Sequence, residues 1–184
     1  MKKTHEEIVE LLQTMNPDEI IKLSNDIGYP VFTRLCMEPS LQHKFVLLQD
    51  GAAVVIVNEN GEILLQSRAD RDKWGLPGGC QELGERFEDT VIREIYEETN
   101  LVVEETDLEL ISVVSGPSRR NEYPNGDVVI NNTVLYCVRD YSGELKWDKE
   151  SKKMEFKSLD NLPENLMDKD LIDIYIQNLN KKKF

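Results

Sequence analysis

The stretch at residues 79–101, GCQELGERFEDTVIREIYEETNL, constrains this chain more than any other. Glu94, Glu97 and Glu98 recur at i, i+3 and i+4, the spacing that brings side chains onto one face of an α-helix. Like charges so placed repel, and Glu97 and Glu98 fall in the last turn, where the backbone dipole favours cations. A positive group is therefore expected to face them. Arg93 offsets part of the charge, and an all-oxygen cluster suits a hard divalent ion such as Mg2+ or Mn2+. Upstream, Pro77, Gly78 and Gly79 let the backbone turn tightly and point main-chain oxygens at the same ion or at a phosphate. Glu85 and Glu88 lie at the expected helix start, where negative charge is favourable, and Asn100 stands where a helix can end in the left-handed conformation. Val91, Ile92 and Ile95 form an apolar stripe beside the glutamates, so the helix packs on a sheet by one side and lines a cleft by the other.

These residues resemble the Nudix box, G-x5-E-x7-R-E-U-x-E-E-x-G-U with U apolar: Gly79, Glu85, then Arg93-Glu94-Ile95 and Glu97-Glu98, with Leu101 closing the run. Asn100 is the one departure. The family has glycine there, and asparagine is the next best residue for a left-handed helix end. The resemblance implies an α/β fold, an α/β/α sandwich around a mixed β-sheet. The alternative is a surface helix rich in solvated glutamates.

The totals narrow the rest. At 184 residues the chain builds one well-buried core, and a second full domain would be cramped. The expected division is a helical N-terminal extension over residues 1–44 and the Nudix domain, with a C-terminal helix, over 45–184. A net charge of −13 argues against duplex nucleic acid as a partner, since phosphate contacts need clustered Lys and Arg. The longest apolar run, at 52–57, is too short to span a bilayer, so a cytoplasmic protein with no membrane partner is expected. Cys36, Cys80 and Cys137 are widely spaced and odd in number, which reads as thiols outside any disulfide framework. His5 and His43 suggest no histidine mechanism.

Ile8, Leu11 and Leu12, then Ile20, Ile21 and Leu23 behind Asn16-Pro17-Asp18, predict two short helices. They form either a cap that completes the core, which is favoured, or an arm for dimerisation or substrate covering. From residue 52 to 66 a buried strand, the Asn60-Gly61 turn and a second apolar run predict a β-hairpin in the core sheet. Arg68 follows, at a position that in similar sequences faces substrate phosphate, and Trp74 leads into Leu-Pro-Gly-Gly as a core residue. Strands are expected at 108–114 and 128–138. The long loop between them carries Arg119 and Arg120, suited to phosphate, and Tyr123, suited to stacking on a base. Glu150 precedes an aromatic and a Leu-Pro, which resembles the stretch where the family adds a further carboxylate. Leu171, Ile172, Tyr175, Ile176 and Leu179 predict an amphipathic helix over 166–179.

By the resemblance, Glu94, Glu97, Glu98 and the Gly79 carbonyl bind Mg2+, with Mn2+ as a substitute and Glu150 as a further ligand; Arg93 orients the cluster and Glu85 steadies the loop. Arg68, Arg119, Arg120 and Tyr123 are the candidate substrate contacts. Glu98, Glu94, Glu150 and Glu122 all stay open as the base. The activity implied is hydrolysis of a nucleoside diphosphate linked to another moiety, with ADP-ribose or a nucleotide sugar first and a nucleoside triphosphate pyrophosphohydrolase second. A nucleotide-sensing module without catalysis is the reading from another class. A small nucleotide-type substrate and a homodimer are the expected partners.

Overall fold

The apolar run at 52–57 lies mostly in strand β1 (Val46–Ile56), and its residues leave in alternate directions. Ala52, Val54 and Ile56 enter one core with Val91 and Ile95, whereas Ala53, Val55 and Val57 enter a second with Leu171, Ile172 and Tyr175. The same division recurs in β2 (Ile63–Arg68), whose Leu64 joins the first core while Ile63 and Leu65 join the second. It recurs again in β7 (Val128–Val138), where Val134, Tyr136 and Val138 part from Leu135 and Cys137. Strands buried on both faces need a layer on each side. Helix α3 (Phe87–Thr99) supplies one and helix α4 (Lys169–Lys181) the other, which gives the α/β sandwich.

The structure is a computed structural model that describes residues 5–27, 46–70, 72–122, 128–147 and 149–181. Two units emerge, one of Met1–Gln49 with Ser115–Asn131 and the other of Asp50–Val114 with Asn132–Phe184. In the second unit one sheet runs β4 (Gly78–Cys80), β1, β7, β5 (Glu109–Val114). The other runs β3 (Trp74–Gly75), β2, β8 (Ser151–Lys157).

The expected hairpin is corrected by this topology. Its turn forms, with Gly61 at φ 76° and Asn58 Oδ1 accepting the N–H groups of Asn60 and Glu62 at 3.0 Å each. Beyond the bridge between Val57 and Ile63, however, β1 and β2 enter different sheets. Both edges of β1 are already occupied, by β4 and by β7, so β2 pairs instead with β3 and β8. The C-terminal helix also begins later than its apolar period suggests. Residues 165–167 are held against β3, where Trp74 N–H donates to Asn165 O at 3.2 Å and Met167 N–H to Trp74 O at 2.8 Å. Trp74 itself packs against the second core, with the Lys157 ammonium 5.6 Å from its ring centroid.

In the first unit, α1 (His5–Thr14) and α2 (Pro17–Ile27) match the two expected helices. Asn16 caps α2: its Oδ1 accepts from the N–H groups of Asp18 and Glu19 at 3.0 and 3.1 Å, and its own N–H donates to Glu19 at 2.8 Å. Leu12 and Ile20 are buried. Part of the long loop expected at 115–127 is ordered as a 3-10 turn, Pro117–Arg119, and as β6 (Arg120–Glu122), which pairs with the first residues of β7. Tyr123 and Cys36 lie outside the described residues.

Candidate active site

Helix α3 begins where Arg86 and Asp89 close on each other, the Arg86 N–H donating to Asp89 Oδ2 at 2.9 Å. It ends at Asn100, whose φ of 60° makes it the one non-glycine with positive φ among the described residues. The Asn100 amide also donates to Glu144 O at 3.0 Å, a contact that glycine cannot make. With both ends fixed, the glutamate face is held in register with the turn at Gly78 and Gly79.

Arg93 organises that face. Its Nε and Nη2 donate to the two Glu85 oxygens at 2.7 and 3.1 Å, its Nη1 to Glu94 at 2.7 Å and Glu97 at 3.1 Å, and its Nη2 also to Cys80 O at 3.1 Å. Every N–H of the guanidinium thus has an acceptor. The hydrogen bonds from Arg93 hold the Glu85 carboxyl down at about 2. Glu85 also accepts from Thr90 Oγ1 at 2.8 Å, so it ties the loop to the helix just ahead of the cluster.

Glu94 and Glu98 differ from Glu97. Burial pushes the Glu94 carboxyl up against the pull of Arg93, and Glu97 and Glu150 push it further. Glu98 is only 5% exposed. Its Oε2 accepts the Gly78 N–H at 2.9 Å and its Oε1 the Gln66 amide at 3.0 Å, yet burial still raises it to about 7. Glu97 stays exposed beside Arg93. Glu150, exposed, lies within electrostatic reach of Glu94 and of Arg68. Arg68 in turn reaches Glu98 electrostatically and is paired with Asp70 at 2.8 Å.

The structure therefore brings together Gly79, Glu85, Arg93, Glu94, Glu97, Glu98, Glu150 and Arg68. Arg119, half-buried, and Arg120, exposed, belong to the other unit, as does Glu122. Sequence reading missed four participants. Gln66 and Ser151 are polar residues buried in strands, and the signal was a glutamine interrupting the apolar run of β2. Asp70 is the acid two residues beyond Arg68. Gly51 was passed over because its role rests on its neighbour across the sheet: a β-carbon there would lie on the Gly79 carbonyl oxygen.

These residues fit a hard divalent cation. Every donor is an oxygen, and two carboxyls carry a tension from burial and mutual repulsion that a cation relieves. A β-carbon at Gly79 would strike the Glu94 carboxylate, and one at Gly51 would strike the Gly79 carbonyl oxygen, so this close approach requires glycine at both positions. Among the described residues no three carboxylate, imidazole or thiol groups already converge on one point.

Fold and site together define an α/β protein with an all-oxygen cluster on one helix, faced by a glycine turn. The chain belongs to the Nudix family: the NUDIX domain model matches residues 47–176. A protein of Methanocaldococcus jannaschii named ADP-ribose pyrophosphatase is 36% identical over 120 residues, 64% of this chain and 66% of its own length. Two further curated relatives are matched over 33% and 36% of their length, so the chain spans less than two thirds of the curated relatives it matches. The crystal structure of a MutT NUDIX hydrolase from Burkholderia pseudomallei aligns with a TM-score of 0.56 and 29% identity, over 70% of this chain and 96% of that one. A MutT protein from Bacillus halodurans aligns with a TM-score of 0.55 and 27% identity, over 69% and 80% of the two chains. No helix among the described residues is long and apolar enough to cross a membrane.

Proposed function

We propose that this chain is a metal-dependent pyrophosphohydrolase that cleaves a nucleoside diphosphate linked to another moiety, with ADP-ribose or a nucleotide sugar as substrate. The observation that carries the reading is the carboxylate face of α3, buried at Glu98, held by Arg93 at Glu94 and set against Gly78 and Gly79. The relative named ADP-ribose pyrophosphatase, matched well beyond the box, supports the substrate class.

Glu94, Glu97, Glu98, Glu150 and the Gly79 carbonyl would hold Mg2+, or Mn2+ in its place. When bound, the ion would neutralise charge on the diphosphate and lower the pKa of a water, so that the water loses its proton more readily as it attacks. Arg93 keeps Glu94 and Glu97 aimed, and Glu85 fixes Arg93 to the loop. The proton that the water gives up goes to one of the acids Glu94, Glu98 or Glu150. Arg68 meets a substrate phosphate by exchanging its partner Asp70 for the phosphate oxygens. No nucleophilic side chain is needed, because phosphoryl transfer depends on positioning and electrostatics. The enzyme acts in the cytoplasm, as a homodimer, and not on duplex nucleic acid.

The test is a Mg2+-dependent hydrolysis screen over ADP-ribose, nucleotide sugars and nucleoside triphosphates, with products identified by mass. A mononucleotide plus a sugar phosphate is expected. A nucleoside monophosphate plus pyrophosphate as the main products would make the chain a triphosphate pyrophosphohydrolase, and absence of turnover with Mg2+ or Mn2+ would favour a nucleotide-sensing module.

A further inference from the structure

Gln66 is a polar side chain 1% exposed in β2, a strand whose preceding residues Ile63, Leu64 and Leu65 are all core. A buried carboxamide is costly unless its hydrogens find acceptors. Here one Nε2 hydrogen goes to Glu98 Oε1 at 3.0 Å and the other to Ser151 Oγ at 2.8 Å. Three elements, β2, α3 and β8, thus meet at one amide group.

Ser151 reaches that amide through an irregularity in the sheet. Along β2 and β8 the register runs Gln66 to Met154 and Ser67 to Lys153, then jumps to Arg68 opposite Ser151, so that Lys152 is an extra residue. A regular ladder would place Ser151 on the face opposite to Gln66, since side chains alternate. The bulge reverses this and turns Ser151 inward, which is why Ser151 and Met154 are buried while Lys152 and Lys153 are exposed. The same step sets the residue before it: Ala69 N–H donates to Glu150 O at 2.7 Å.

From this geometry we infer that Gln66, anchored by Ser151 across the β8 bulge, is a positioning residue for Glu98. Gln66 takes one lone pair on Oε1 and the Gly78 N–H one on Oε2, which fixes the plane of the carboxylate and leaves each oxygen a second lone pair for a cation. The inference rests on the proposed reading of Glu98 as a cation ligand, and the experiment separates the two.

The experiment titrates Mn2+ into the EDTA-treated, dialysed full chain and reads free Mn2+ by electron paramagnetic resonance, with far-ultraviolet circular dichroism to show that each variant is folded. Gln66→Met keeps the length of the side chain and removes its donors; it is expected to weaken Mn2+ binding roughly 10- to 100-fold, the usual effect of losing an outer partner of a metal ligand. Ser151→Ala is expected to weaken binding less. The double variant is expected to match Gln66→Met alone, because Ser151 acts through Gln66. If Gln66→Met does not fold, Ser151→Ala carries the test. Wild-type binding that the folded variants leave unchanged overturns the inference alone. No Mn2+ binding by the wild type overturns the cation-site reading and the inference with it.

Discussion

Glu98→Gln in the metal-free protein tests the electrostatics of the site without any turnover. Burial raises the Glu98 carboxyl from 4.5 to about 7 in the folded chain. At about 1.4 kcal/mol per tenfold change in proton affinity, ionising it there costs the folded state roughly 3 kcal/mol relative to the unfolded chain. The sign follows from proton binding. Between about 4.5 and 7 the folded state holds more protons than the unfolded one, so this group makes stability fall as pH rises through that window and leaves it flat above. Glutamine at 98 carries no such cost. Its carbonyl can still accept the Gly78 N–H, and its amino group finds an acceptor if Gln66 turns over to present oxygen to it and to the Ser151 hydroxyl. Urea unfolding in EDTA at pH 4.5 and at pH 8 should therefore show the variant gaining on the wild type by up to about 3 kcal/mol across that range. Glu85 and Asp89, whose carboxyls are held low by arginines, act equally in both proteins and drop out of the difference, whereas the repulsion between Glu94 and Glu98 is lost in the variant and is part of it. Mg2+ should then stabilise the wild type more than the variant. A difference that stays constant with pH would refute the argument from burial.

Other perturbations follow from the same geometry. Asn100→Ala should lose about 1–2 kcal/mol in urea unfolding, because alanine pays a steric cost at φ 60° and drops the bond to Glu144, whereas Asn100→Gly should stay closer to wild type. Arg93→Lys should lower kcat/KM roughly 10- to 100-fold with the fold retained by circular dichroism, since one ammonium cannot hold Glu85, Glu94, Glu97 and the Cys80 carbonyl at once. Gly51→Ala should weaken Mn2+ binding and cost about 1–3 kcal/mol in unfolding, because its β-carbon meets backbone that cannot move aside cheaply.

Much of this arrangement is legible in the sequence. The period of Glu94, Glu97 and Glu98 gave the helix and its charged face, and Asn100 its end, because these are local properties of a single segment. The apolar run at 52–57 announced a buried strand. Properties that depend on a partner strand were not legible. The hairpin at 52–66 had the right turn but the wrong pairing, since nothing in Asn60-Gly61 reveals that β4 and β7 occupy both edges of β1. Gln66 read as one more strand residue because its acceptors come from residues 98 and 151. The register jump at Lys152, which turns Ser151 inward, leaves no trace in the one-dimensional pattern of SKKMEFK. Asp70, which pairs with Arg68 at 2.8 Å, was not legible as a partner from the basic residue alone.

The central claim is that the carboxylates of α3 make this chain a metal-dependent pyrophosphohydrolase, and one measurement addresses it most directly: ADP-ribose incubated with wild type and with Glu98→Gln, each with Mg2+ and with EDTA, and the products resolved by mass. The account predicts adenosine monophosphate and ribose phosphate from the wild type with Mg2+ alone, and a rate at least about 100-fold lower from the folded variant. Equal rates from the two proteins, or cleavage that persists in EDTA, would contradict it.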